Sequence, residues 1–240
     1  MDSSPRPALQ GPTFVRLLAR LTDAEAARAA LVPADRLSEW IDWTRAVALS
    51  KVLDARPAAA DTPATPATPS AHDPTAACAR VRATLAQAIA SAPELATPQS
   101  VTPSDHADPG DTASDAAPDF APLRQRCLTL QRAMQAATGR LRGELREALA
   151  QRSAQAARLA EVDAVMEGAL APRESALLGA VPMLLEAHFE RLRAAAADSQ
   201  ATAHGPWLDG FRRDMQGVLS AELDVRFQPV EALLAALRAP

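Results

Sequence analysis

Four histidines, two cysteines and a run of arginines carry most of the reactive chemistry in this 240-residue chain. His72, His106 and His204 lie in proline-rich or turn segments. His188, in "LLEAHFERLR", falls between Leu185 and Leu192 on or near an apolar helical stripe. General-base work or zinc ligation needs a positioned partner, and no neighbouring residue supplies one. His188 therefore reads as a polar residue held at a helix interface. Cys78 and Cys127 stand alone, outside any Cys-x-x-Cys pattern, which points to reduced thiols rather than a metal site or a spaced disulfide.

Glu144 with Glu147, and Glu161 with Asp163 and Glu167, resemble carboxylate pairs. They alternate with arginine or face outward on helical spacing, so they read as solvated surface. Inward-facing Glu-x-x-His motifs of a dimetal bundle are absent, and the nine glycines form no phosphate loop. No catalytic residue, cofactor-binding residue, metal ligand or cofactor is assigned.

Arg124, Arg126, Arg132, Arg140, Arg142, Arg146, Arg152 and Arg158 are opposed over 119–158 only by Asp119, Glu144 and Glu147. A nucleic-acid helix would gather such residues on one face and interleave aromatics for stacking. Here they flank a leucine stripe on both sides, without aromatics. Solvation, or pairing with Glu174, Glu186 and Glu190, is the first reading. A nucleic-acid-associated helix over 124–158 is the alternative.

The aromatics are the other candidates. The chain has three tryptophans, five phenylalanines and no tyrosine, yet "LSEWIDWTRAVALSKV" places Trp40 and Trp43 three residues apart. On a helix, Trp40, Trp43, Val47, Leu37 and Ile41 span an arc of about 160°. Trp40, Trp43, Trp207 and Phe211 are the candidate anchors: core first, with partner contact as the alternative. Lys51, the single lysine, sits in the last turn, opposing the helix dipole.

These residues need elements to hold them, and the composition supplies helices. Hydrophobic residues make up 48% of the chain, much of it alanine, with leucine the main large side chain and very little isoleucine. The expected fold is all-α: an elongated antiparallel helical bundle or coiled-coil hairpin, with a helical N-terminal segment and disordered Pro/Ala-rich linkers. Residues 12–55 read as the N-terminal helical segment with the Trp pair. Linker 56–74, a lone short helix over 75–92 and an acidic Pro-rich linker over 93–118 follow. The C-terminal bundle occupies 119–238.

In that bundle Leu123, Met134, Leu145 and Ala156 recur every eleven residues, a step that keeps a stripe straight on an α-helix. Unbroken from 120 to 170, such a rod would be about 75 Å long. Pro172 is placed in the first turn of a second helix, with a kink from Pro182 near 178–182. Gly205 and Pro206 mark the next break, and Pro229 kinks or restarts the last helix.

The net charge of −4 and the pI near 5.6 offer no global attraction to nucleic acid or anionic membrane. No signal peptide and no apolar run long enough to span a bilayer are read, so a cytoplasmic protein is expected. Its expected partners are proteins or a second copy of the chain, and association with a membrane complex is compatible.

The blocks "GPTFVRLLARLTDA", "DRLSEWIDWTRAVALSKVL", "LLGAVPMLLEAHFERLR" and "WLDGFRRDMQGVLSAELDVRFQPVEALLAALR" resemble an uncharacterised bacterial helical family, the domain of unknown function three-three-four-eight. The resemblance covers most of the chain outside the linkers and brings no assigned activity. It implies a cytoplasmic accessory of a bacterial envelope complex. The function expected is that of a non-enzymatic helical interaction or scaffold protein.

Overall fold

The computed structural model describes residues 13–22, 41–54, 73–96, 118–198 and 205–239. Every regular element among them is helical. The order is α1 (Thr13–Thr22), α2 (Trp43–Asp54), α3 (Pro74–Ala90), a short 3-10 turn (Pro93–Leu95), α4 (Ala121–Ala150), α5 (Ala154–Gly179), α6 (Val181–Asp198) and α7 (Pro206–Arg238). The chain is all-α. Residues 55–72 and 97–117, which hold most of both expected linkers, lie outside the described residues, as do Trp40, His72, His106 and His204.

Helix α4 follows from its stripe. Leu123, Cys127, Leu130, Met134, Thr138, Leu141, Leu145 and Leu149 are all buried along one side. The Asp119 carboxylate starts the helix by accepting the Ala121 N–H at 3.0 Å. Ser153 then ends the rod that an unbroken stripe would continue. Its backbone is extended, and its hydroxyl accepts the Ala156 N–H at 3.1 Å, capping α5. Beyond that cap the stripe is no longer a core: Ala156 is half-buried and Leu159 is exposed.

Two prolines exchange the roles expected of them. Pro172 does not open a helix; it lies inside α5. Pro182 sits in the first turn of α6, where a missing N–H leaves no helical acceptor unfilled. The break falls at Ala180, whose N–H reaches back to the Leu177 carbonyl at 3.3 Å. Pro206 opens α7 directly after Gly205. Pro229 is absorbed within α7, which runs on to Arg238 without restarting.

The chain resolves into two compact units, each drawn from three separated stretches. The first comprises Met1–Ala27, Ala86–Gln131 and Val181–Glu222; the second comprises Arg28–Leu85, Arg132–Ala180 and Leu223–Pro240. Among the described residues their boundaries fall inside α3, α4 and α7 and between α5 and α6. The segment expected as a lone helix is therefore no isolated element: Cys78, Leu85 and Ile89 of α3 are all buried.

In the first unit the centre is aromatic. Phe120, Phe189 and Phe211 stand with ring centroids 5.1–6.0 Å apart, and Trp207 meets Phe189 edge-on at 5.4 Å. Each such pair adds roughly 0.5–1.5 kcal/mol beyond burial. Helix α1 packs on α6 and buries Phe14 and Leu21. Glu94 is held by Arg126 through two hydrogen bonds of 2.7 and 2.8 Å, and Gln216 donates to the Leu95 carbonyl.

In the second unit α2 lies on α5. Arg142 and Arg146 of α4 reach Asp163 and Glu167 of α5, with closest contacts of 2.6 Å. Arg82 of α3 is clamped by Asp224 and Glu231 of α7 and lies 5.4 Å from the centre of the Phe227 ring. Arg152, in the α4–α5 turn, donates to the Leu237 and Ala239 carbonyls, which α7's C-terminus leaves without helical donors.

Candidate functional site

Of the four aromatic candidates, Trp43 is the one the structure sets apart. Asp42 caps α2 by accepting the Arg45 N–H at 2.9 Å, and its carboxylate pairs with the Arg45 guanidinium at 2.7 Å. Helix α2 thus begins at Trp43, after Ile41 and Asp42. Trp43 occupies the first helical position and is 82% exposed. No residue of α2 is buried, and Leu53 is also exposed. A side-chain tie fastens α2 to α5: Arg158 Nε donates to the Val52 carbonyl at 3.0 Å. Phe211 is fully buried and Trp207 half-buried, both in the aromatic centre of the first unit.

Most of the arginines over 124–158 are engaged internally. Arg126, Arg142 and Arg146 pair with carboxylates, while Arg152 and Arg158 pair with backbone carbonyls. The acids involved correct the expected ones. Asp163 and Glu167 take Arg142 and Arg146, because they lie on the helix that folds back beside α4; Glu174 faces Arg226 at 3.5 Å instead. Arg124, Arg132 and Arg140 remain exposed. Each is eight residues from the last, so each is turned about 80° further around α4.

His188 is buried, and its Nε2 stands 3.0 Å from the Asp214 carboxylate. Its ring lies 5.8 Å from Phe211, and its Nδ1 is 3.5 Å from Arg191. A histidine–carboxylate pair does chemistry only beside a nucleophile or substrate recess, and the contacts of His188 are structural ones: a ring, an acid and a guanidinium. Glu222 is fully buried and accepts from Gln131 Nε2 at 2.9 Å. The nearby Cys127 thiol is pushed up to about 12, by burial first and the Glu222 charge second. Burial likewise raises Cys78. Both thiols are free and buried, which makes them poor nucleophiles.

A polar recess of about 240 Å³ in the second unit is lined by Thr138, Arg142, Glu167, Glu174, Ser175 and Arg226. Its two cations already face its two carboxylates, so its charges cancel within the wall. Among the described residues no three His, Cys, Asp or Glu side chains converge as metal ligands, and no helix is long and apolar enough to cross a membrane.

The sequence offered one hint of the buried polar contacts. Glu222 falls on the three-and-four stepping of the α7 apolar stripe, where a charge must find a partner. Nothing local marks Gln131, Asp214 or Arg191 as the groups that meet these side chains.

The features so far define a helical protein whose polar side chains hold it together and whose exposed tryptophan sits on a peripheral helix. The chain belongs to the family described as Protein of unknown function (DUF3348), whose model matches residues 1–239. Comparison with curated proteins and with solved structures returns no match.

Proposed function

We propose that this chain is a non-enzymatic helical interaction protein that docks a protein partner through α2. The observation that carries this reading is Trp43, 82% exposed on a helix that buries none of its own residues. Exposing a large indole to water gains nothing for the fold, and tryptophan is enriched at the energetic centres of interfaces. The engagement of Arg126, Arg142, Arg146, Arg152 and Arg158 within the chain favours this reading over nucleic-acid binding. So does the 80° spacing of the exposed arginines, which presents no single basic face. The setting implied by the family resemblance, a cytoplasmic accessory of an envelope complex, supplies the partners to look for.

The test pairs two substitutions in the full chain. Trp43→Ala should leave thermal unfolding within about 0.5 kcal/mol of the parent while abolishing co-purification of a partner from the native host. Phe211→Ala should destabilise by roughly 3–5 kcal/mol through the cavity it leaves. Retention of every co-purifying protein by Trp43→Ala refutes docking through α2. Salt-sensitive retention on DNA would revive the arginine reading.

A further inference from the structure

We propose that the groove between the α4–α5 turn and the last turn of α7 takes an acidic segment of a protein partner, anchored by an aliphatic side chain. This extends the docking reading of α2 and rests on it in taking a protein as the partner. The groove holds about 400 Å³ and lies within the second unit. Leu149, Leu159, Val162 and Ala236 give it an apolar lining, and Leu159 is 43% exposed. Arg158, Leu159 and Val162 follow Gln155 by three, four and seven residues, so the four make one stripe of α5 along the groove. The eleven-residue stripe that α4 buries runs on to Ala156, which also lines the groove, and there it loses its cover.

The charge of the lining fixes the kind of segment. Arg152 and Arg158 line the groove, and no acid does. Both arginines donate to neutral carbonyls, Arg152 to those of Leu237 and Ala239 and Arg158 to that of Val52. Unlike the carboxylate pairs of Arg142 and Arg146, such bonds leave the guanidinium charge in place. Arg152 offsets the negative end of α7. Arg158 and the N-terminus of α5, capped by Ser153, keep the groove positive. A free anion would leave the apolar lining uncovered, and a nucleic-acid backbone needs a longer basic track than two arginines supply. A protein segment answers both parts: an aliphatic side chain meets Leu159 and Val162, and an Asp or Glu beside it takes the remaining guanidinium donors.

Benzoylphenylalanine placed at Leu159 in the full chain, in its native host, reads the occupant by light-driven crosslinking and peptide mass. The captured segment should carry an aliphatic residue flanked by Asp or Glu. Two variants then test the sign of the charge at the same exposed position. Leu159→Glu and Leu159→Arg both remove the apolar contact and should unfold at the same temperature. Leu159→Arg should retain the captured protein roughly tenfold better than Leu159→Glu, because only the glutamate repels an acidic segment. Capture of a basic segment or of nucleic acid, no capture at all, or equal retention by the two variants overturns the proposal. The same crosslinker at Trp43 reads α2 separately. Capture from position 43 without capture from 159 leaves the α2 reading standing and removes this one; capture of an acidic segment from 159 alone upholds the groove and removes α2.

Discussion

The side-chain amide of Gln131 donates to the Glu222 carboxylate at 2.9 Å across the α4–α7 contact, with Glu222 fully shielded from water. A hydrogen bond to a buried charge contributes more than a neutral one, because the acceptor loses the full solvation it would have had in water. Gln131→Leu keeps the volume and removes the donor. It should destabilise by about 1.5–3 kcal/mol, read as a lower urea midpoint at an unchanged denaturant slope.

The Arg142–Asp163 pair is well shielded, with the two side chains 13% and 15% exposed. Asp163 also takes Arg146, so it neutralises two guanidiniums. A double-mutant cycle on Arg142→Ala and Asp163→Ala should return a coupling of about 1–3 kcal/mol. Asp163→Ala should cost more than Arg142→Ala, since it leaves two guanidiniums sharing Glu167 alone, whereas the reverse change leaves Asp163 still paired with Arg146. Coupling near zero would mean that solvent screens the network as it does surface pairs.

The buried thiols predict a labelling pattern. Cys127 is fully inaccessible and its thiol is raised to about 12, so almost no thiolate forms at pH 8. A disulfide reagent at pH 8 should leave Cys127 unmodified in the native chain and label it at the rate of global unfolding. Fast native labelling of Cys127, read by peptide mass, would show that α4 opens locally.

Much of the architecture was legible because it is local. The stripe of α4 appears as leucines at three, four and eleven residues, and Gly205–Pro206 announces the start of α7 through proline's fit to a first turn. Prolines alone were ambiguous. Pro172 and Pro182 are ten residues apart in similar surroundings, and only packing decides which one lies inside a helix. Asp42 was ambiguous in a related way: it is an outward-facing residue in a continuous helical register but a cap where α2 begins. The partner pairs were illegible in principle. Arg82 meets Asp224 from 142 residues away, and His188 meets Asp214 from the next helix. No periodicity within one helix encodes which side chain on another will face it.

The Glu94–Arg126 tie gives stability a pH dependence whose sign is fixed. The Arg126 guanidinium, bonded to both carboxylate oxygens, holds Glu94 below the usual carboxylate range against a smaller opposing effect of burial. An acid lowered in the folded state binds its proton more readily once unfolded. Its contribution is therefore complete above the unfolded value, about 4.3 for glutamate, and is lost as pH falls through the folded one. Glu94→Gln should be less stable than the parent at pH 7, and the gap should close as the pH is lowered to about 3. Parallel stability–pH curves for the two proteins, followed by circular dichroism during urea unfolding, would place the acid sensitivity elsewhere. The same titration by NMR should find the Glu94 carboxyl protonating at lower pH than the ordinary glutamate value.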